Sequence, residues 1–301
     1  MNGKSGEYKM KKYNNPVGVN KFTGLLLISP FIIGSILFII YPFAGSFVMG
    51  LNKYDGIHQP EFIGFENYRH MLTDKSFLKA IGVTFKYTII FVPLKIIVSL
   101  LTAWLLSLNI KGMQIYRTAF YIPSILGSNL AVAIMWQFLF TREGLVNQFF
   151  ELFGLESASW YGDDRLSLFI IILLRLWEFG SSMIIFLTAL KDIPKEYYEA
   201  AKVDGCGSIR AFFSITLPLI KNTIFINVVL QTISALQEFN APYMITKGNP
   251  MKSTYTVGML IYDEMFSYHN AGYANAVSWV LFMLTAVIVC IMFRITGKKP
   301  E

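Results

Sequence analysis

A bilayer core about 30 Å thick is crossed by about 20 apolar residues in a helix. The sequence holds six stretches that meet this, at about 22–48, 81–108, 118–140, 166–190, 217–239 and 274–295. Hydrocarbon offers the backbone no water, so each stretch must satisfy its own N–H and C=O groups, and six of them predict an all-α polytopic membrane protein. Composition agrees: 54% of residues are hydrophobic and 15% charged, where soluble domains carry about 25% charged residues. The first stretch is longer than a signal-peptide core and no small-residue cleavage site follows it, so it reads as a retained span. Pro30, Pro42 and Pro93 fall inside spans, where neighbouring helices can serve the freed carbonyls.

The net charge of +7 gains meaning from its distribution. With the N-terminus inside, 15 of the 26 Lys and Arg residues fall on the inner side and 8 on the outer. Acidic residues lean the other way, giving about +9 inside and −3 outside, as the positive-inside rule requires. The basic excess is a topology signal and no nucleic-acid footprint, and both termini are expected in the cytoplasm. Cys206 and Cys290 read as free thiols. The histidines, His58, His70 and His269, lie in outer loops without metal-ligand spacing, so no metal site is expected.

One loop breaks the hydrophobic pattern. Residues 191–218 read KDIPKEYYEAAKVDGCGSIRAFFSITLP. Pro194 suits a helix start, Lys195 to Val203 suits the helix, and Gly205 after Asp204 suits its stop. Ala200 and Ala201 leave one face nearly bare, so another backbone can approach. A second short helix fits Ser208 to Pro218. On these features alone, a docking helix and an ordinary interfacial amphipathic helix both remain open.

Glu199-Ala200-Ala201, three residues, Gly205, nine residues, then Ile215-x-Leu217-Pro218 resembles the EAA signature of permease subunits of binding-protein-dependent ABC importers. The likeness covers nearly the whole chain: ISPFIIGSILFIIYP, FIGFENYRHMLTDKSFLKA, IYRTAFYIPSI, IMWQFLF with GLVN, and PYMITKGNP are similar to blocks of the carbohydrate branch, the maltose and glycerol-phosphate type. The resemblance implies the type I importer permease fold and import of a sugar or oligosaccharide by alternating access. Glu199, Ala200, Ala201, Asp204, Gly205, Ile215, Leu217 and Pro218 would couple the spans to a cytoplasmic ATPase dimer. No GxxxxGK[ST] occurs in the chain, so ATP and Mg would be held by that partner, and this subunit would be neither an enzyme nor a cofactor binder. An external solute-binding protein and a second six-helix permease, making a heterodimer in the cytoplasmic membrane, complete the expected assembly.

Ionisable residues at bilayer depth are costly and mark candidate sites. Lys86 is near a span end and can snorkel, whereas Lys95, Arg175, Glu178 and Glu238 need partners or water. Arg175 and Glu178, three apart, form either a local bridge or a polar cavity wall. Asn227, Gln231, Ser234 and Glu238 recur at spacings of four, three and four, which puts one polar stripe on an otherwise apolar helix. The stripe suits interhelical hydrogen bonding. In the maltose-type relatives the corresponding face touches sugar, which implies substrate contact by Gln231, Ser234 and Glu238, with Trp177, Arg175 and Glu178 opposite. Lys95 or Arg175 would neutralise the acids or bind an acidic sugar.

The expected organisation is a cytoplasmic tail 1–21, a permease domain 22–296 with its coupling loop 191–218, and a tail 297–301. An importer for a non-sugar solute and an ion-coupled carrier are the alternatives. The carrier predicts inverted repeats, which the sequence lacks, and leaves the EAA loop unexplained.

Overall fold

The structure is a computed structural model that describes residues 21–108, 112–127 and 130–296. The tails at 1–20 and 297–301 lie outside the described residues.

The described residues are mostly helical, with almost no strand. In chain order the helices are α1 (Lys21–Ser35), α2 (Tyr41–Gly50), α3 (Glu66–Met71), α4 (Lys75–Ser107), α5 (Met113–Leu126), α6 (Leu130–Leu139), α7 (Leu145–Leu152) and α8 (Asp164–Trp177). They continue as α9 (Gly180–Lys191), α10 (Lys195–Val203), α11 (Ser208–Ala211), α12 (Leu217–Leu219), α13 (Lys221–Leu236), α14 (Asn240–Ile245), α15 (Val257–Tyr262) and α16 (Ala271–Thr296). A two-stranded hairpin pairs Asn52 with Phe62 and Lys53 with Glu61.

Three of the six predicted spans are single helical runs long and apolar enough to cross a membrane: Gly24–Gly50, Lys75–Ser107 and Ala271–Thr296. The other three are each a pair of helices, α5 with α6, α8 with α9, and α11–α12 with α13. The α8–α9 pair bends by 45° and the α11–α12 to α13 pair by 71°. Span five therefore departs from the continuous helix expected over 217–239: α13 begins at Lys221 and ends at Leu236.

Proline shapes two of the runs. Between α1 and α2, and between α11 and α12, lie π-turns at Ile36–Ile40 and Phe212–Thr216. The first turn ends two residues before Pro42 and the second two before Pro218. A proline ring collides with the carbonyl four residues back, and one extra residue in the preceding turn moves that carbonyl aside.

By internal contacts the first segment, up to Val48, is one unit and the chain from Met49 onward another. In the first, apolar side chains such as Leu27, Phe31 and Phe38 are exposed, as expected of a helix whose solvent is lipid. In the second, α4 packs along α9 and α13 around a core that includes Tyr87, Phe91, Ile170, Ile171, Met183 and Phe186. A satellite cluster joins Phe77 of α4 to Met259 and Leu260 of α15 and Val277 of α16. With 33 residues α4 is about 50 Å long, so it extends beyond the hydrocarbon it crosses.

The loop between α7 and α8 is organised by one amide. Asn147 is fully buried, donates to the carbonyls of Thr141, Arg142 and Ala158 at 3.0–3.3 Å, and accepts from the Ala158 N–H and the Trp160 indole. Tyr161 in the same loop donates to the Gln137 carbonyl at 3.1 Å, and burial pushes its hydroxyl up to about 12, so it stays protonated in this role. Replacing Asn147 by Ala strands several buried donors and acceptors, with an expected cost of about 2–3 kcal/mol. The thermal unfolding midpoint of detergent-solubilised Asn147→Ala should fall, whereas Gln148→Ala, an exposed neighbour, should leave it unchanged.

Candidate functional site

Two regions gather the residues singled out in the sequence. The first is centred on Arg175, in the last turn of α8. Helix geometry fails just beyond it, at Glu178 (φ −83°, ψ 34°), and α9 starts afresh at Gly180. The Arg175 guanidinium serves two carboxylates at once. Nε and Nη2 donate to Glu238 Oε2 and Oε1 at 2.7 and 3.0 Å, and Nη1 donates to Glu178 Oε2 at 2.8 Å. Glu178 and Glu238 are 8% and 4% exposed, so the planar guanidinium is what keeps two buried acids tolerable.

Glu238 lies two residues past the end of α13, in the turn before α14, and so falls off the helical stripe on which the sequence spacing placed it. Its Oε1 also accepts the N–H of Ala241, and its carbonyl accepts the Thr256 hydroxyl at 2.8 Å. The next N–H, of Val257, donates to Thr84 of α4. The Glu238 carboxylate thus joins α8 to α14 and its carbonyl reaches the start of α15, which Thr84 holds from α4. The expected stripe divides further: Asn227 is buried and donates to the Ser182 carbonyl at 3.4 Å, Gln231 is half-buried, and Ser234 is exposed. Neither Gln231 nor Ser234 makes a side-chain hydrogen bond among the described residues, leaving both able to meet another molecule. Trp177 is half-buried and tilted against Trp136, ring centroids 6.1 Å apart.

The break between α8 and α9 is served from outside. Ser99 of α4 donates to the Phe179 carbonyl, and the Ser181 N–H donates to Ser124 of α5. A Cβ on Gly180 would come within 2.7 Å of the Phe120 carbonyl oxygen, and one on Gly127 would collide with the Glu178 side chain. These two glycines bring α5 onto the break. Lys95, on the same face of α4, is 8% exposed with its ammonium over the Phe91 ring at 5.2 Å. Sequence reasoning passed over Gly127, Gly180, Ser99 and Gln137. Gln137, the lone amide of the IMWQFLF block, pins α6 to α14 through the carbonyls of Met244 and Ile245.

The second region is the loop after α9. Pro194 is the N-cap of α10, and the helix closes in a Schellman turn: Gly205, at φ +69°, donates to Lys202 and Cys206 donates to Ala201. Only glycine adopts that φ without strain, which is the physical content of the motif's Gly205. Glu199, Ala200, Asp204, Gly205 and Pro218 are exposed, while Ala201, Ile215 and Leu217 are half-buried. Leu217 and Tyr198 pack on the main core, and Tyr198 shares a 2.8 Å hydrogen bond with Thr216. The loop meets the core through Tyr198 and Leu217, and no residue of α10 is buried, so its acidic and alanine face is outward.

The description "binding-protein-dependent transport system inner membrane component" matches residues 72–297. The chain is 39% identical over 294 residues to the probable ABC transporter permease protein YesP of Bacillus subtilis, covering 96% of this chain and 95% of the relative. It is 35% identical over 284 residues to the sulfoquinovosyl glycerol transport system permease protein SmoG of Agrobacterium fabrum, covering 93% and 92%. Among solved structures, a bacterial alginate ABC transporter bound to its pentasaccharide-loaded periplasmic protein superposes with a TM-score of 0.79 at 21% identity, covering 93% of this chain and 96% of that one.

Removing Arg175 leaves two buried carboxylates uncompensated, with an expected cost of about 3–5 kcal/mol. Arg175→Met should therefore reduce the yield and melting temperature of the purified protein. The triple change Arg175→Met, Glu178→Gln, Glu238→Gln, which removes the charges together, should recover most of the loss. Equal instability of the single and triple variants would contradict the ion-pair account.

Proposed function

The chain belongs to the family of binding-protein-dependent transport system inner membrane components, and on that premise we propose that it is the membrane-spanning permease subunit of an ATP-driven importer that carries a sugar or oligosaccharide. The observation that carries this reading is the loop at 191–218, whose helix α10 exposes Glu199, Ala200 and Gly205 at its end and meets the core through Tyr198, with Leu217 packed on the core beyond it. A displacement applied to such an exposed helix reaches the spans through Tyr198 and Leu217, as alternating access needs. Relatives named for sulfoquinovosyl glycerol, trehalose and maltose, and several other sugars support the carbohydrate assignment.

In this reading the ATPase is a separate cytoplasmic dimer that holds ATP and Mg, since the sequence contains no phosphate-binding loop of its own. Glu199 meets a basic group of that ATPase, Ala200 and Ala201 admit its backbone, and Asp204, Gly205, Ile215, Leu217 and Pro218 fix the angle of the lever. An external binding protein delivers substrate to the outer loops. A second, distinct permease forms the other wall of the pathway, and both termini are cytoplasmic. The solved alginate transporter, whose structure includes a loaded periplasmic protein, supports the binding-protein partner.

Substrate contact falls to Gln231 and Ser234, whose polar groups are unengaged among the described residues, with Trp177 covering an apolar ring face. Arg175, Glu178 and Glu238 form the polar wall beside them. Their mutual pairing makes that wall a fixed acceptor for hydroxyls.

Two measurements separate the parts of this reading. Glu199→Lys should abolish co-purification of the ATPase and lower uptake at least tenfold; unchanged association would sink the docking role. Gln231→Ala removes one substrate hydrogen bond, worth about 0.5–1.5 kcal/mol, so half-maximal stimulation of ATP hydrolysis should need about 2- to 13-fold more sugar. Unaltered apparent affinity would remove Gln231 from the pathway.

A further inference from the structure

We propose that a cavity behind the coupling loop holds the phosphate-bearing headgroup of an anionic membrane lipid. The cavity, about 530 Å³, lies where the last turn of α4, the first turns of α5 and the end of α9 meet α10 and α11. These are the ends of membrane-crossing helices on one side of the protein, the level at which headgroups sit.

Four of its lining residues are basic, Arg117, Lys191, Lys195 and Lys202, and among the described residues none is acidic. Arg117 is held in place: its Nε and Nη2 donate to the Leu106 carbonyl at 3.2 and 2.7 Å, leaving Nη1 for another acceptor. None of the three lysines is ion-paired within the described residues. Four like charges around one cavity repel each other, and an anion between them removes that cost. The floor is apolar, with Trp104 and Phe212 in ring contact at 5.0 Å. An apolar floor under a cationic rim complements an amphiphile with an anionic head better than a small soluble anion, which would gain nothing from the floor.

The site is distinct from the docking surface. None of Glu199, Ala200, Ala201, Gly205, Ile215 or Leu217 lines the cavity, so lipid and ATPase need not compete. Lys195, Tyr198 and Lys202 do line it, from α10 itself, so an occupied cavity braces the coupling helix from behind.

Native mass spectrometry of the complete transporter, released from micelles doped with phosphatidylglycerol or phosphatidylcholine, reads this directly. Phosphatidylglycerol should be retained in preference to phosphatidylcholine. The Lys195→Gln, Lys202→Gln variant should retain about 10- to 30-fold less of it, at about fivefold per lysine. Lys195→Arg, Lys202→Arg should retain it as the unaltered protein does, and Lys191→Gln reads the opposite wall should the double variant fail to assemble. Millimolar inorganic phosphate should not displace the lipid. Equal retention of both lipids, retention unchanged in the Gln variants, or displacement by inorganic phosphate, the mark of a soluble-anion site, would each overturn the proposal.

Discussion

Arg175 holds the membrane body together at the point where its helices are weakest. A break inside a span frees backbone groups that lipid cannot serve, and the α8–α9 break lies one turn from Arg175. The guanidinium fork fixes Glu178 at the break and Glu238 beyond α13 in one plane. Glu238 then anchors α14 through the Ala241 N–H and α15 through Thr256. A lysine in its place could present no such planar fork to two carboxylates.

This arrangement gives the charges at bilayer depth a structural reason to exist. Asn227 and Glu238 are engaged by the protein, while Gln231 and Ser234, between them in sequence, make no side-chain hydrogen bond among the described residues. Charged members already paired with one another hold fixed dipoles in place and need no further counter-ion. In the loop after α9, α10 is closed by a Schellman turn and tied to the core by the Tyr198–Thr216 bond.

Much of the coupling loop was legible in the sequence. Pro194, Lys195 to Val203 and Gly205 became an N-cap, a helix and a left-handed stop, because capping is a local matter settled within a few residues. The candidate pocket was legible only in part. The spacing of Asn227, Gln231, Ser234 and Glu238 suggested one face, yet the helix ends at Leu236 and the four residues do three different things. Gly127 and Gly180 gave no periodic signal at all; their role is to be small where Glu178 and the Phe120 carbonyl already stand.

What the sequence by itself determined was the solvent of the chain, the number and approximate place of its apolar segments, and the shape of the loop that breaks them. Each follows from hydrophobicity or local backbone preference, which add up along the chain without reference to distant residues. What only the tertiary structure decided was where the spans break and which charges meet. Arg175 had Glu178 three residues away as the obvious partner, and its bidentate partner lies 63 residues further on. That choice belongs to the packing of α8 against α14, just past the turn that holds Glu238, since only side chains brought within hydrogen-bond reach in a dry interior can neutralise one another.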